Sequence, residues 1–287
     1  MQTKADPNTM SKYLSIDGHQ LHYLDRGQGP ILLFVHGIPE WSGTYEQVIL
    51  ALGTTYRCIV PDHLGFGLSD TDNGADLRPT AHSKRLLALI QALDLTGIHL
   101  VVHDYGGPIG IGALVQEPAR FKSLTLSNTW LWSTQGAGAK VLKLMSGWLG
   151  RWLYLSYGFS VKYMARRGFA EQRTYLENKA LLMQHHHTKK QRYANYVLML
   201  EMHKSGSYFD DLLLQLRGIN LPGCFIWGSK DVFFNTHEYL ARWKKELPLY
   251  PVLEIESAGH FPHMESASTF AKHVRDFLIE TSGKMQV

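Results

Sequence analysis

Short apolar runs rich in β-branched residues recur along the chain, at Ile31 to His36, Arg57 to Pro61, Ile98 to His103, Ser123 to Ser127, Cys224 to Trp227 and Val252 to Ile255. Runs that are apolar at consecutive positions predict strands buried on both faces, as in a parallel sheet. Between them, Leu86, Leu89, Ile90 and Leu93 fall at helical spacing, as do Phe270, Val274 and Phe277, so the connections are expected to be crossover helices. Tyr13 to Ile16 and Leu21 to Leu24 flank Asp17-Gly18 and predict a hairpin, an antiparallel edge to the sheet. Together these elements predict an α/β fold with a mostly parallel, doubly wound sheet.

From about Leu131 to Arg217 the strand signal stops and helical patterns rich in Trp, Tyr, Leu and Met take over. The expected organisation is a core domain from residues 1–130 and 218–287, with 131–217 inserted as a helical cap domain. Met145, Met164, Met183, Met199 and Met202 fall in the insertion, with Trp132, Trp148 and Trp152. That composition suits an adaptable apolar wall over a site, although most such residues, taken singly, are ordinary core.

Composition narrows the function classes. A chain of 287 residues can bury a sizeable core, and 45% hydrophobic with 19% charged residues excludes a disordered or fibrous chain. The 29 Lys and Arg exceed the 25 Asp and Glu by only four and are scattered, the densest group being Lys189, Lys190 and Arg192, so no nucleic-acid partner is expected. Cys58 and Cys224 each sit in an apolar run and read as buried thiols in a reducing compartment. Met1 to Leu14 is polar without a signal-peptide core, and no run of about 18 apolar residues occurs, so a cytoplasmic protein with no membrane partner is expected.

The chemistry concentrates where strands end. Leu100 to His103 leads into Asp104-Tyr105-Gly106-Gly107-Pro108, a strand that meets two glycines before a helix expected over Pro108 to Val115. Such a turn pushes its central side chain out at the carboxyl edge of the sheet, which makes Asp104 a candidate nucleophile. Alone, an aspartate there would read as a helix N-cap. No Gly-x-Ser-x-Gly occurs, which argues against a serine esterase. Asp231 follows the Phe225 to Gly228 run and is the candidate acid; His260, in Ala258-Gly259-His260-Phe261, is the candidate base. The order nucleophile, acid, histidine is that of a hydrolytic triad on an α/β sheet. Ile31 to Pro39 ends a further strand at His36-Gly37, and the backbone N–H groups of Ile38 and Tyr105 are candidates for an oxyanion hole. Neither His185-His186-His187, whose side chains diverge on a helix, nor Gly106-Gly107-x-x-Gly110 has the spacing for a metal or a dinucleotide, and no cofactor is expected.

These segments, in this order and with the helical insertion, resemble the α/β-hydrolase superfamily over nearly the whole chain, and within it the aspartate-nucleophile branch of haloalkane dehalogenases and epoxide hydrolases. Ser127 to Trp132 and Ile226 to Val232 resemble the third subfamily of haloalkane dehalogenases, which agrees with the acid at Asp231 and with Asn128 where another subfamily has its acid. Pro61 to Asp70 is also typical of the branch and reads as a tight turn without chemistry. The resemblance implies a carbon–halogen bond cleaved through an ester on Asp104, with a small hydrophobic substrate, water and a released halide as partners. The family's halide clamp, an indole after the nucleophile and an asparagine in the His-Gly-x-Pro turn, is replaced by Tyr105 and Ile38. An aliphatic side chain donates no hydrogen bond, so Tyr105, Trp148 and Trp152 become the candidate leaving-group contacts. Epoxide hydrolases share the triad and protonate the ring oxygen with two cap tyrosines, for which Tyr154, Tyr157, Tyr163, Tyr193 and Tyr196 are available, and Glu40 matches their His-Gly-x-Pro-Glu pattern. A third implied class is a non-hydrolytic relative, ligand-binding or similar to the coelenterazine luciferases.

Overall fold

Strands β1 (Met10–Ile16) and β2 (His19–Arg26) form the expected hairpin, whose two turn residues, Asp17 and Gly18, take φ of +58° and +77°, as a two-residue turn requires. Six further strands follow: β3 (Ile31–Val35), β4 (Arg57–Pro61), β5 (Ile98–His103), β6 (Phe121–Ser127), β7 (Gly223–Gly228) and β8 (Val252–Ile255). They make one sheet in the order β1-β2-β4-β3-β5-β6-β7-β8, antiparallel at β1-β2 and β2-β4 and parallel elsewhere. This computed structural model describes residues 10–284, so the start of the polar N-terminal stretch lies outside the described residues.

Helices α1 (Glu46–Leu52), α2 (Pro79–Ala92) and α3 (Gly106–Leu114) make the early crossovers. Between β6 and β7 the described residues form helices only: α4 (Gly136–Met145), α5 (Trp148–Trp152), α6 (Ala165–Gly168), α7 (Gln172–Met183), α8 (Lys189–Lys204) and α9 (Gly206–Arg217). Two π-helical turns, Leu153–Tyr157 and Ser160–Met164, lie among them. The chain ends with α10 (Ala241–Glu246), α11 (Pro262–Glu265) and α12 (Ala267–Lys284).

Consecutive strand residues supply two cores, one on each face of the sheet. Leu33, Val35, Leu100 and Val102 pack with α2, α3 and α9, while Leu32, Phe34, Val101 and Ile226 pack with α1 and α12. That double burial is why these strands read as unbroken apolar runs. Cys58 and Cys224 are free thiols in the second core, where burial pushes both up to about 12.

The chain leaves β3 towards β4 on one side and returns to β5 on the other, so the strand order reverses between β3 and β5. Outside the carboxyl ends of the strands at such a reversal, open α/β sheets form their binding crevice.

Candidate active site

Asp104 sits at that crevice. Between β5 and α3 it takes φ of +49°, an uncommon conformation for a side-chain-bearing residue that lifts the carboxylate out of the strand line. The turn is made by Asp104 itself; neither Gly106 nor Gly107 has a positive φ. Those glycines are required for room. A Cβ on Gly106 would fall on the Val35 carbonyl oxygen and one on Gly107 on the Thr129 hydroxyl. Because the chain can pass this close to β3, α3 starts at Gly106, two residues before the expected Pro108. Gly37 is small for the same reason, since a Cβ there would overlap the Asp104 carboxylate.

The loop after β3 delivers one oxyanion candidate directly: the Ile38 N–H donates to Asp104 Oδ1 at 2.9 Å. Tyr105 occupies the position before α3. Its ring is fully buried edge-on to Trp130, with centroids 4.9 Å apart, and its hydroxyl donates to the Leu198 carbonyl on α8. That bond ties the phenol to the helical insertion, so the expectation that it meets a leaving group is not supported.

Loops after β7 and β8 carry the candidate acid and the candidate base. His260 Nε2 stands 3.5 Å from Asp104 Oδ2, and its Nδ1 lies 2.8 Å from Asp231 Oδ2. Asn128, at the end of β6, donates to the same Asp231 oxygen at 2.8 Å, and the Phe233 and Phe234 N–H groups donate to the other. Burial would raise the Asp231 carboxyl, but the His260 charge and these donors outweigh it and hold it below its usual value. Burial would lower His260, yet Asp231 and Asp104 outweigh it and raise the imidazole to about 10. The His260 N–H is fixed on Gly168 O at 2.7 Å, and Glu265 accepts from the flanking Gly259 N–H at 2.9 Å.

Glu40 plays a larger part than its resemblance suggested. Fully buried, its Oε2 accepts from the Gly37 N–H at 2.8 Å and meets His103 Nδ1 at 2.7 Å. Its other oxygen lies 2.6 Å from His263 Nε2, an ion-pair contact rather than a well-angled hydrogen bond. Burial would raise this carboxyl, but His103 and His263 hold it well below the usual range. His103 Nε2 in turn lies 2.7 Å from the His260 carbonyl oxygen. One side chain therefore links the loop of Ile38, the strand of Asp104 and the loop of His260. Glu40, His103 and His263 also stand close enough to share a metal ion, but they already engage one another.

Other expected contacts are not brought to Asp104. Trp148 and Trp152 are 82% and 52% exposed, so they do not wall a pocket as leaving-group contacts would. Tyr157 and Tyr163 are also exposed, whereas Tyr154 and Tyr196 are buried beside Ile38. Burial and then the negative charge of Asp104 raise Tyr154 above its usual value, so its hydroxyl keeps its proton. Trp130 is buried beside Tyr105 with its indole N–H unpaired. His186 contacts the Pro39 carbonyl oxygen at 3.0 Å, and His185 packs on Trp41. In the Pro61 to Asp70 turn, Asp62 accepts from the Ser42 and Leu68 N–H groups and contacts His22, a structural role. A separate cleft of about 770 Å³ lies at the amino ends of β7 and β8, the opposite edge of the sheet from Asp231.

Residues 30–267 match the family described as alpha/beta hydrolase fold. A cis-3-alkyl-4-alkyloxetan-2-one decarboxylase of Shewanella oneidensis is 30% identical, over 94% of this chain and 88% of its own. Haloalkane dehalogenase 2 of Mycobacterium tuberculosis is also 30% identical, over 88% of each chain. Among solved structures, a haloalkane dehalogenase from Agrobacterium tumefaciens C58 superposes with a TM-score of 0.86 at 16% identity, covering 96% of this chain and 98% of the other. By its sheet, its matched length and these relatives, the chain belongs to the α/β-hydrolase superfamily, close to the haloalkane dehalogenases.

Proposed function

We propose that this hydrolase acts on a small hydrophobic substrate through a covalent ester on Asp104, with the triad Asp104, His260 and Asp231. The observation that carries this reading is the Asp104 carboxylate itself, one oxygen held by the Ile38 N–H at 2.9 Å and the other facing His260 at 3.5 Å. In this reading the free oxygen, Oδ2, attacks the carbon that bears the leaving group. The carbon–oxygen bond of the ester forms as the bond to the leaving atom breaks, and that atom takes the electron pair. Esterification removes the Asp104 charge, one of the two that raise His260, so the imidazole becomes a competent base at the step that needs one. His260 takes a proton from water, the hydroxide adds to the Asp104 carbonyl carbon, and the oxyanion forms on the Ile38 N–H, joined by that of Tyr105. Collapse breaks the ester carbon–oxygen bond, the His260 imidazolium returns its proton to the departing alkoxide, and the alcohol leaves with the carboxylate restored. No step calls on a cofactor, and residues 131–217 act as the cap over a core of 1–130 and 218–287.

The favoured substrate carries a halogen, in line with the dehalogenase relative at 30% identity. The unpaired indole N–H of Trp130 supports this, as a donor of the type that a leaving halide requires. A second reading, opening of a strained oxygen ring, is favoured by Tyr154, a buried phenol near enough to Asp104 to feel its charge and able to donate a hydrogen bond to an epoxide oxygen.

The test is the intact mass of His260→Phe after incubation with a short bromoalkane or, separately, an aryl epoxide. An alkyl adduct from the bromoalkane is expected, and a hydroxyalkyl adduct from the epoxide alone would move the protein to the second reading. Adducts from neither, or wild-type turnover by the variant, would overturn the ester mechanism.

A further inference from the structure

The outer face of the helical insertion is built unlike the rest of the surface. Val141, Leu144, Trp148, Leu149 and Trp152 recur at helical spacing through α4 and α5, and each is more than half exposed, Trp148 reaching 82%. Large apolar side chains exposed together on two successive helices mark a candidate interaction surface. Residues 131–170 hold six cations and no aspartate or glutamate; Lys140 and Lys143 are exposed on α4 itself, while Arg151 stacks on Tyr193 and Tyr196, Lys162 on Tyr157, and Arg166 and Arg167 meet Gln172 and Tyr163. Leu142 and Met145 of α4 are turned inward, against the cluster of Tyr154, Leu155, Tyr196 and Met199.

We propose that α4 and α5 dock the protein on the surface of an anionic lipid bilayer, lying in its plane. Apolar side chains with tryptophans among them, on helices that also expose Lys140 and Lys143, match the boundary between acyl chains and negative headgroups. The helices are ten and five residues long, against about 20 apolar residues for a membrane span, and no helix among the described residues is long and apolar enough to cross. The expectation of no membrane partner rested on the lack of such a span, which does not bear on a surface-bound face. A second copy of the chain fits poorly, because a two-fold interface would set Lys140 and Lys143 against the same lysines of the copy, with no acidic residue in 131–170 to offset them. Since α4 and Ile38 pack against the same cluster of Tyr154, Leu155, Tyr196 and Met199, docking would turn that side of the protein towards the lipid, a source of apolar substrate.

The experiment is flotation of the full chain with vesicles of phosphatidylcholine alone or mixed with phosphatidylglycerol. Binding to the mixed vesicles only, weakening as salt rises, is expected. Lys140→Glu with Lys143→Glu should weaken binding by about fivefold or more per cation, and Trp148→Ala with Trp152→Ala should weaken it at least tenfold. Both pairs are exposed, so unchanged thermal melting will separate lost binding from misfolding. No flotation at low salt, or flotation that neither folded variant weakens, would overturn the proposal. So would a dimer in solution that Trp148→Ala with Trp152→Ala converts to a monomer, which would give the face to a second copy.

Discussion

His260 stands between two carboxylates, 3.5 Å from Asp104 on one side and 2.8 Å from Asp231 on the other, in a pocket that leaves the histidine 3% exposed. Its raised value, about 10 against an ordinary 6.5, means that the folded protein holds a proton there that the unfolded chain gives up sooner. The resulting stability is fully present below about pH 6.5 and is lost as pH rises through about 10. Across that window unfolding free energy should fall by up to about 1.4 kcal/mol per pH unit from this group. Urea unfolding at stepped pH checks this, and His260→Gln should remove that part of the slope. An identical slope in the variant would mean that the imidazole is not held protonated between the carboxylates.

Glu40 is expected to matter as a link rather than as a reagent. Glu40→Ala would leave the Gly37 N–H and the side of two buried imidazoles without their acceptor, and should destabilise the fold by about 3–5 kcal/mol. Glu40→Gln keeps an acceptor for Gly37 and should lose less. Chemical unfolding of the two variants checks the order, and equal losses would show that the carboxylate's hydrogen bonding to Gly37 contributes little.

The leaving group separates Trp130 from Tyr154. If a halide departs towards the Trp130 indole, Trp130→Phe should lower kcat for a bromoalkane by about 10²–10³-fold, as loss of one preorganised donor does elsewhere, while Tyr154→Phe changes it little. Ring opening of an epoxide should show the reverse pattern. Halide release and diol formation, assayed side by side, read the two outcomes, and variants that lose neither activity would remove both residues from the site.

Local chemistry was legible where neighbours in sequence are neighbours in space. The apolar runs marked the strands because both faces of the sheet are covered, and the Asp17-Gly18 turn has the backbone its residues prefer. The glycines after Asp104 suggest a sharp turn in sequence but serve another purpose in the fold. They supply space against Val35 and Thr129, while Asp104 itself takes the positive φ, and residue type cannot distinguish these causes. The Glu40 link joins positions far apart in sequence, so no spacing announces it. Periodicity predicted helices around Trp148 and Trp152, but it does not say which apolar face turns inward, and here both lie on the outer one. Trp130 lies in the Ser127 to Trp132 string, but the string assigns it no role, and its interest comes from an indole N–H that folding leaves unpaired.

The most direct test of the covalent route is a single turnover in heavy-oxygen water with enzyme in excess over substrate. If Asp104 attacks carbon, the first product alcohol carries ordinary oxygen from the carboxylate, and the heavy isotope appears in the peptide that contains Asp104. Heavy oxygen in the first-turnover alcohol, with an unlabelled Asp104 peptide, would mean that water attacks the substrate directly and would contradict the ester on Asp104.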